Sequence, residues 1–133
     1  MPPEPGSPAD WMRFAHGDLE AACRPLGPGG VRETLTFHAQ QAAEKSIKAV
    51  LIHYGVPFPR SHSMEHLMGL IPPEVPRPAC LLASVALTPY ATVFRYPGGG
   101  ESVSEEQCSE AARLAEAVVA WAESVIGEGE NPS

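Results

Sequence analysis

The chain has 133 residues, of which 44% are hydrophobic and 19% are charged, which fits one domain with a single hydrophobic core. Its net charge of −7 lies in residues 101–133, which contain eight glutamates and one arginine, so DNA is not an expected partner. The sequence has no apolar run long enough to span a membrane and no recognisable secretory signal, which predicts a cytoplasmic protein. The three cysteines, Cys23, Cys80 and Cys108, are far apart, so neither a disulfide framework nor a zinc site is predicted.

Clusters of proline divide the chain into five predicted helices, and no segment shows the alternation of polar and apolar residues that is typical of a strand. Residues 1–8 are predicted to be disordered. The first helix is predicted from Pro8 to about Cys23, with Ser7 as its N-cap and Pro8 at the first helical position. One side of this helix carries Trp11, Phe14, Ala15, Asp18, Leu19 and Ala22.

The long second helix is predicted over residues 32–54, with Gly55 as a candidate C-cap. Apolar residues recur along it at steps of three and four, and the alanines among them would let another helix approach closely. A polar band lies beside this apolar stripe and carries more hydrogen-bonding groups than an ordinary solvated face needs. Its members are His38, Gln41, Glu44 or Lys45, and Lys48.

The remaining helices are shorter or less regular. A short third helix is predicted over 63–71 with Ser63 at its cap, and a fourth from Pro78 to Phe94, which Pro89 should kink or divide near Thr88. The last helix should begin at a capping box formed by Ser104 and Gln107 and end at Gly127, followed by a flexible acidic tail over 127–133. The predicted fold is an all-α, antiparallel, up-and-down four-helix bundle with one additional short helix, over residues 9–126.

Several of these segments together resemble the HEPN (higher eukaryotes and prokaryotes nucleotide-binding) domain family. The resemblance covers about residues 11–121, and its most specific part is the second helix, where the string from Phe37 to Ala49 includes Ala39-Gln40-Gln41-Ala42-Ala43-Glu44-Lys45. The other matching pieces are Trp11, Ala15, Asp18-Leu19 and Ala22 in the first helix, Gly55-x-Pro57-x-Pro59-Arg60-x-His62, Arg95-Tyr96-Pro97, and Ala111-x-x-x-Ala115 in the last helix.

The resemblance implies a compact helical bundle that forms a homodimer. It also implies a partner, a separate minimal nucleotidyltransferase encoded nearby in a toxin–antitoxin-like pair, and a possible nucleotide ligand. No cofactor is predicted. Other branches of the family are metal-independent ribonucleases that use an Arg-x4–6-His motif at the dimer interface, at the position that corresponds to Arg95 in this sequence.

The sequence departs from the ribonuclease motif at that position, because no histidine follows His66. Metal-free RNA cleavage needs a base for the 2′-hydroxyl proton and a cation for the phosphorane, and Arg95 could supply only the cation. Arg60 and His66 have the spacing of an Arg-x5-His motif, but they do not lie at the family's catalytic position. His62 and His66 have the spacing of a helical metal pair but lack a third ligand nearby, so no metal is predicted. Weak catalytic candidates are Arg95, His62 and His66.

Two interpretations of the polar band remain open from the sequence. Glu44 and Lys48 have the spacing of an ion pair within one helix, which would make the band structural. Alternatively, a lysine contacts a phosphate while neighbouring side chains bind a base or sugar. The ligand-binding candidates are His38, Gln41, Lys45, Lys48, Arg60, Arg95 and Tyr96.

Three functions follow from these alternatives. The first is a nucleotide- or partner-binding module without catalysis, the second a ribonuclease toxin with a degenerate Arg/His site, and the third a dimeric scaffold without a ligand. A homodimer is expected in each case, because the alanine-rich second and last helices should keep an apolar patch that a single bundle does not bury.

Overall fold

A computed structural model describes residues 3–61, 63–93 and 103–130, and these residues contain helices and no strands. The predicted helical class is therefore confirmed. No helix in the described part of the chain combines the length and the apolar composition that crossing a membrane requires. The elements in chain order are α1 (Pro8–Ala22), α2 (Arg32–His53), α3 (Met64–Met68), α4 (Ala79–Ala83), a 3₁₀ turn (Ser84–Leu87), α5 (Tyr90–Val93) and α6 (Glu105–Glu130).

The predicted start of α1 is confirmed by its capping contacts. The Ser7 hydroxyl accepts a hydrogen bond from the Asp10 backbone N–H at 3.1 Å, and Pro8 occupies the first turn. The Asp10 carboxylate in turn accepts from the Gly6 backbone N–H at 3.0 Å. These two bonds satisfy backbone donors that would otherwise lack a partner at the helix start.

The predicted boundaries of α2 and the predicted start of α6 are also confirmed. Gly55 has a φ of 70° after α2, and the Val56 N–H donates to the Leu51 carbonyl at 2.9 Å, as in a Schellman motif. At α6, the Ser104 N–H donates to the Gln107 side chain at 2.8 Å and the Gln107 N–H donates to the Ser104 hydroxyl at 3.0 Å. Both ends therefore follow from local sequence.

Residue contacts fix the directions of the long helices. Trp11, early in α1, lies beside Lys48 late in α2, while Cys23 after α1 and Arg32 at the start of α2 line the same cleft, so α1 and α2 are antiparallel. His16 of α1 pairs with Glu123 late in α6, and Cys23 after α1 lines one cleft with Cys108 near the start of α6, so these two helices are antiparallel as well. These directions are those of an up-and-down bundle in which α4, the 3₁₀ turn and α5 together form the remaining helix.

The core surrounds α2, because twelve of its 22 residues are buried. The helix α2 packs most extensively against α1 and α6, and it also contacts α5 and α3. All four alanines of α2 and three alanines of α6 are buried inside the single chain, whereas Ala120 of α6 is exposed and Ala112 and Ala117 are partly exposed. The homodimer itself stays a prediction. These buried alanines are Ala39, Ala42, Ala43, Ala49, Ala111, Ala115 and Ala122.

The predicted fourth helix is divided more than the sequence indicates. The turn at Thr88 and Pro89 lies where a break was expected, but the α-helix already ends at Ala83. The buried Ser84 hydroxyl donates to the Leu81 carbonyl at 2.5 Å, a local bond that competes with regular helix geometry. The Thr88 hydroxyl oxygen accepts from the Met64 backbone N–H at 3.1 Å, which ties this segment to α3.

Two other predicted features differ from the structure. The helix α6 continues past Gly127 to Glu130, because Gly127 does not adopt the left-handed conformation that ends α2 at Gly55. Phe14, grouped in the sequence with Trp11 and Ala15 on one side of α1, is 51% exposed, whereas Ala15 is fully buried. The short helix α3 begins after Ser63 as predicted, with its hydroxyl accepting from the His66 N–H at 3.2 Å, but it ends at Met68.

The start of α2 has an unusual residue for a helix N-cap. Val31 occupies that position, has no side chain that could accept a hydrogen bond, and is 52% exposed. Serine at an N-cap stabilises a helix by about 1 kcal/mol relative to an aliphatic residue. The first turn of α2 is therefore less stable than it would be with a capping side chain.

We expect Val31→Ser to raise the free energy of unfolding by about 1 kcal/mol, because its hydroxyl can accept from a first-turn N–H. That gain corresponds to an increase in Tm of about 4 °C for a domain of this size. Thermal unfolding at a concentration where the chain is monomeric measures it, with the exposed Leu82→Ser as a control that gains nothing. A lower Tm for Val31→Ser would contradict this account of the cap.

Candidate functional site

Asp18 of α1 joins two of the predicted ligand residues. Its Oδ1 lies 2.9 Å from Nδ1 of His38, and its Oδ2 accepts from Nζ of Lys45 at 2.5 Å. His38 and Lys45 are seven residues apart, which places them two turns apart on one face of α2. The side chains of His38, Lys45 and Asp18 are 31%, 24% and 13% exposed, so the cluster touches solvent at the edge of the α1–α2 contact.

A second row of polar side chains on α2 points into the protein. The Gln41 amide donates to Gln40 at 2.7 Å, Gln40 donates to Glu44 at 2.8 Å, and Lys48 donates to Glu44 at 2.9 Å. Gln40, Glu44 and Lys48 are buried, with exposed fractions of 0%, 3% and 8%. The predicted ion pair between Glu44 and Lys48 is confirmed, and it lies inside the bundle rather than on its surface.

Aromatic rings complete the surroundings of the Lys48 ammonium. Its Nζ lies 5.7 Å from the ring centroid of Trp11 and 5.6 Å from that of Phe58, and the two rings meet edge to face at 6.2 Å. Ring faces attract a desolvated cation, and the Glu44 carboxylate balances its charge. This arrangement favours a structural role for Lys48 over direct contact with a ligand.

A cleft of about 430 Å³ opens beside the exposed edge of the Asp18 cluster. Phe14 stands at this cleft between two cations, with the Arg13 guanidinium 4.6 Å and the Lys45 ammonium 5.8 Å from its ring centroid. The backbone N–H of Gly6 and the Arg13 guanidinium lower the pKa of Asp10, so this carboxylate is ionised at neutral pH. The lining residues are Gly6, Asp10, Trp11, Phe14 and Lys45.

This cleft could accept a planar ring with an attached anion. An exposed aromatic face can stack on a base, and Lys45 offers a cation next to it. The cleft was not predicted from the sequence, because the apolar spacing that groups Phe14 with Trp11 and Ala15 does not show which of these side chains is exposed.

The other predicted site residues lie away from this cleft or outside the described residues. Arg60 is exposed in the segment after α2, and His66 is exposed on α3. His62, Arg95 and Tyr96 fall outside the described residues, so their candidate roles stay predictions. In the described ranges, no group of three or more histidine, cysteine, aspartate or glutamate residues is arranged to hold a metal ion.

A larger cleft of about 570 Å³ lies at the end of the bundle where α1 ends and α2 and α6 begin. Burial raises the pKa of the Cys23 and Cys108 thiols, and nearby Glu116 raises that of Cys23 further. Thiols with a raised pKa are poor nucleophiles at neutral pH, so this cleft has no feature of a thiol-based active site. Its charged lining residues are Arg24, Arg32, Arg113, Glu105 and Glu116.

Comparisons with known proteins agree with this fold. The sequence profile described as "HEPN domain" matches residues 8–125. The crystal structure of TT1696 from Thermus thermophilus is 28% identical, with a TM-score of 0.76 over 89% of this chain and 97% of that chain. The crystal structure of ST0689, an archaeal HEPN homologue, is 30% identical, with a TM-score of 0.68 over 90% and 98% of the two chains. No curated protein matches this sequence significantly.

We expect Asp18→Asn to lower the free energy of unfolding by about 1–2 kcal/mol, because His38 and Lys45 lose a charged acceptor in a mostly shielded position. Urea denaturation measures this loss, and a double-mutant cycle with Lys45→Met isolates the ion pair. Glu20→Gln is a matched control, because Glu20 pairs with Arg24 at 3.0 Å where both side chains are about 70% exposed. Equal effects at Asp18 and Glu20 would contradict a stabilising role for the cluster.

Lys48→Met should lower the free energy of unfolding more strongly, by about 3 kcal/mol, because it leaves the Glu44 carboxylate buried without its ammonium partner. Arg13→Met is the matched control, because Arg13 also lies over an aromatic ring but has a side chain that is 58% exposed. Denaturant unfolding of both variants gives the comparison. Similar losses for the two variants would show that burial does not set the strength of these contacts.

Proposed function

This chain belongs to the HEPN family, and on that premise we propose that it is a cytoplasmic, homodimeric, nucleotide- or partner-binding module without catalysis of its own. It works with a separate minimal nucleotidyltransferase in a toxin–antitoxin-like pair. The observation that carries the non-catalytic part is the absence of any histidine after His66. Arg95 therefore has no histidine near it in sequence that could act as a general base.

The polar side chains of α2 support the same conclusion. Glu44 and Lys48 are buried and bonded to one another, and Lys45 is held by Asp18. Side chains fixed in this way stabilise the bundle, and none of them is free to take a proton from a substrate hydroxyl at the surface.

The binding part of the proposal rests on the cleft beside Phe14 and Lys45. Its volume of about 430 Å³ falls in the range of small-ligand sites. A base would stack on the exposed Phe14 ring, and a phosphate would approach Lys45 and His38 from the solvent side. Because Asp18 already binds both of these groups, the anion must share them with a carboxylate, which favours modest affinity.

Isothermal titration with ATP, GTP and their monophosphates tests nucleotide binding. We expect saturable heat with at least one of them, and Phe14→Ala should weaken that binding about tenfold because base–aromatic stacking is lost. Tyr54→Ala is the control, because Tyr54 is also exposed but lies at the end of α2 beside His53. If Phe14→Ala binds the nucleotide with unchanged affinity, the cleft is not the binding site. If no nucleotide gives heat, nucleotide binding is contradicted, and partner binding or a scaffold role remains.

Incubation of the purified chain with RNA in EDTA tests the absence of catalysis. We expect no cleavage, because no histidine that could act as a base follows Arg95 in the sequence. Arg95→Ala and a mock purification serve as controls for contaminating ribonuclease. Sequence-independent cleavage that disappears in Arg95→Ala would contradict the proposal and favour the degenerate ribonuclease toxin instead.

Copurification tests the proposed pairing. Tagged full-length chain, expressed together with a small nucleotidyltransferase encoded in a neighbouring reading frame, should retain that enzyme on the affinity resin. The same enzyme expressed without the tagged chain controls for non-specific binding to the resin. The absence of such a reading frame, or the absence of retention, would contradict the paired system while leaving the nucleotide experiment unaffected.

A further inference from the structure

We propose that the homodimer forms through the loop of residues 23–31 and the 570 Å³ cleft beside it, in a two-fold contact with a second copy of this chain. The inference rests on the homodimer that is part of the proposed function, and it names the surface. The cleft lies between the end of α1, the start of α2 and the first turns of α6. In a two-fold contact, the loop of each copy faces the cleft of the other.

Val31 supplies the first argument for this surface. The helices α1 and α6 begin at serines whose hydroxyls cap a backbone N–H, whereas α2 begins at an aliphatic residue that caps nothing. Val31 is also 52% exposed, so it is not explained by packing within the chain. Burial of the Val31 side chain against another molecule would explain why an aliphatic residue occupies a position that favours a polar one.

The loop that carries Val31 contains a second exposed apolar side chain. Leu26 is 41% exposed and lines the cleft. The loop conformation is defined by a turn in which the Gly30 N–H donates to the Gly27 carbonyl at 3.0 Å, with Gly29 at a φ of 79°. A loop with a fixed conformation loses little entropy on binding, which favours association.

The charges of the cleft fit a second copy of the same surface. Arginines and glutamates line it together, so each copy presents both signs, as a self-complementary contact requires. Arg24 and Arg113 pair with Glu20 and Glu110, while Arg32 forms no ion pair with another described residue and is available to a partner. The glutamates in the lining disfavour a small anion as the occupant.

Other exposed apolar side chains do not form an alternative patch of this kind. In the described ranges, the large hydrophobic side chains that are exposed are Phe14, Leu26, Val31, Tyr54 and Leu82. Two of these five lie on the loop between α1 and α2, and the others are separate, with Phe14 on α1, Tyr54 directly after α2 and Leu82 on α4. The loop and its cleft therefore combine two apolar contacts, a concave surface and charges of both signs.

Sedimentation equilibrium of the full-length chain and of Val31→Asp tests this surface. Aspartate is a good N-cap residue, so the variant should fold with an unchanged or higher Tm at concentrations where it is monomeric. Its negative charge in an apolar contact should raise the dimer dissociation constant at least tenfold. Leu82→Asp is the matched control, because Leu82 is 55% exposed on α4 and away from the cleft, and its dissociation constant should stay unchanged.

The outcomes separate this inference from the proposed homodimer. A dimer that Val31→Asp leaves intact overturns the surface and retains the homodimer, whereas a monomeric wild-type chain overturns both. Titration with inorganic phosphate addresses a small anion in the same cleft. A saturable rise in Tm that Arg32→Ala abolishes, without any change in mass, would overturn the dimer surface in favour of an anion site.

Discussion

The central helix is packed on several sides, so the polar side chains along it must find partners within the protein. Gln41, Gln40, Glu44 and Lys48 form a continuous chain of hydrogen bonds, and the rings of Trp11 and Phe58 cover its charged end. A buried charge without such partners would be strongly destabilising. The positions of α1 and of the segment after α2 therefore depend on this row, because they supply the rings that cover the ammonium.

The same constraint separates the structural side chains from those that can bind. Lys45 and Lys48 are three residues apart in one helix, yet the first reaches an exposed cleft and the second is enclosed. The difference arises from the carboxylate that each meets, since Asp18 lies at the edge of the bundle and Glu44 lies in its interior. A polar band that looks uniform in the sequence thus has two functions in the fold.

Features that depend on a few neighbouring residues could be predicted from the sequence. The caps at Ser7, Ser104 and Gly55 are examples, because the groups that satisfy the helix ends are within five residues of them. Burial of Gln40 could not be predicted, since it depends on how many helices surround α2. The break at Ser84 depends on a hydroxyl that bonds locally once it is buried, and helical periodicity does not reveal this.

The two tryptophans lie at contacts between different pairs of helices. Trp11 of α1 covers the Lys48 ammonium, while the indole N–H of Trp121 in α6 donates to the Pro76 carbonyl at 2.8 Å, just before α4. Intrinsic fluorescence therefore combines a signal from the α1–α2 contact with one from the packing of α6 against the segment that leads into α4. Replacing one indole at a time would separate these signals and show whether the two halves of the bundle unfold together.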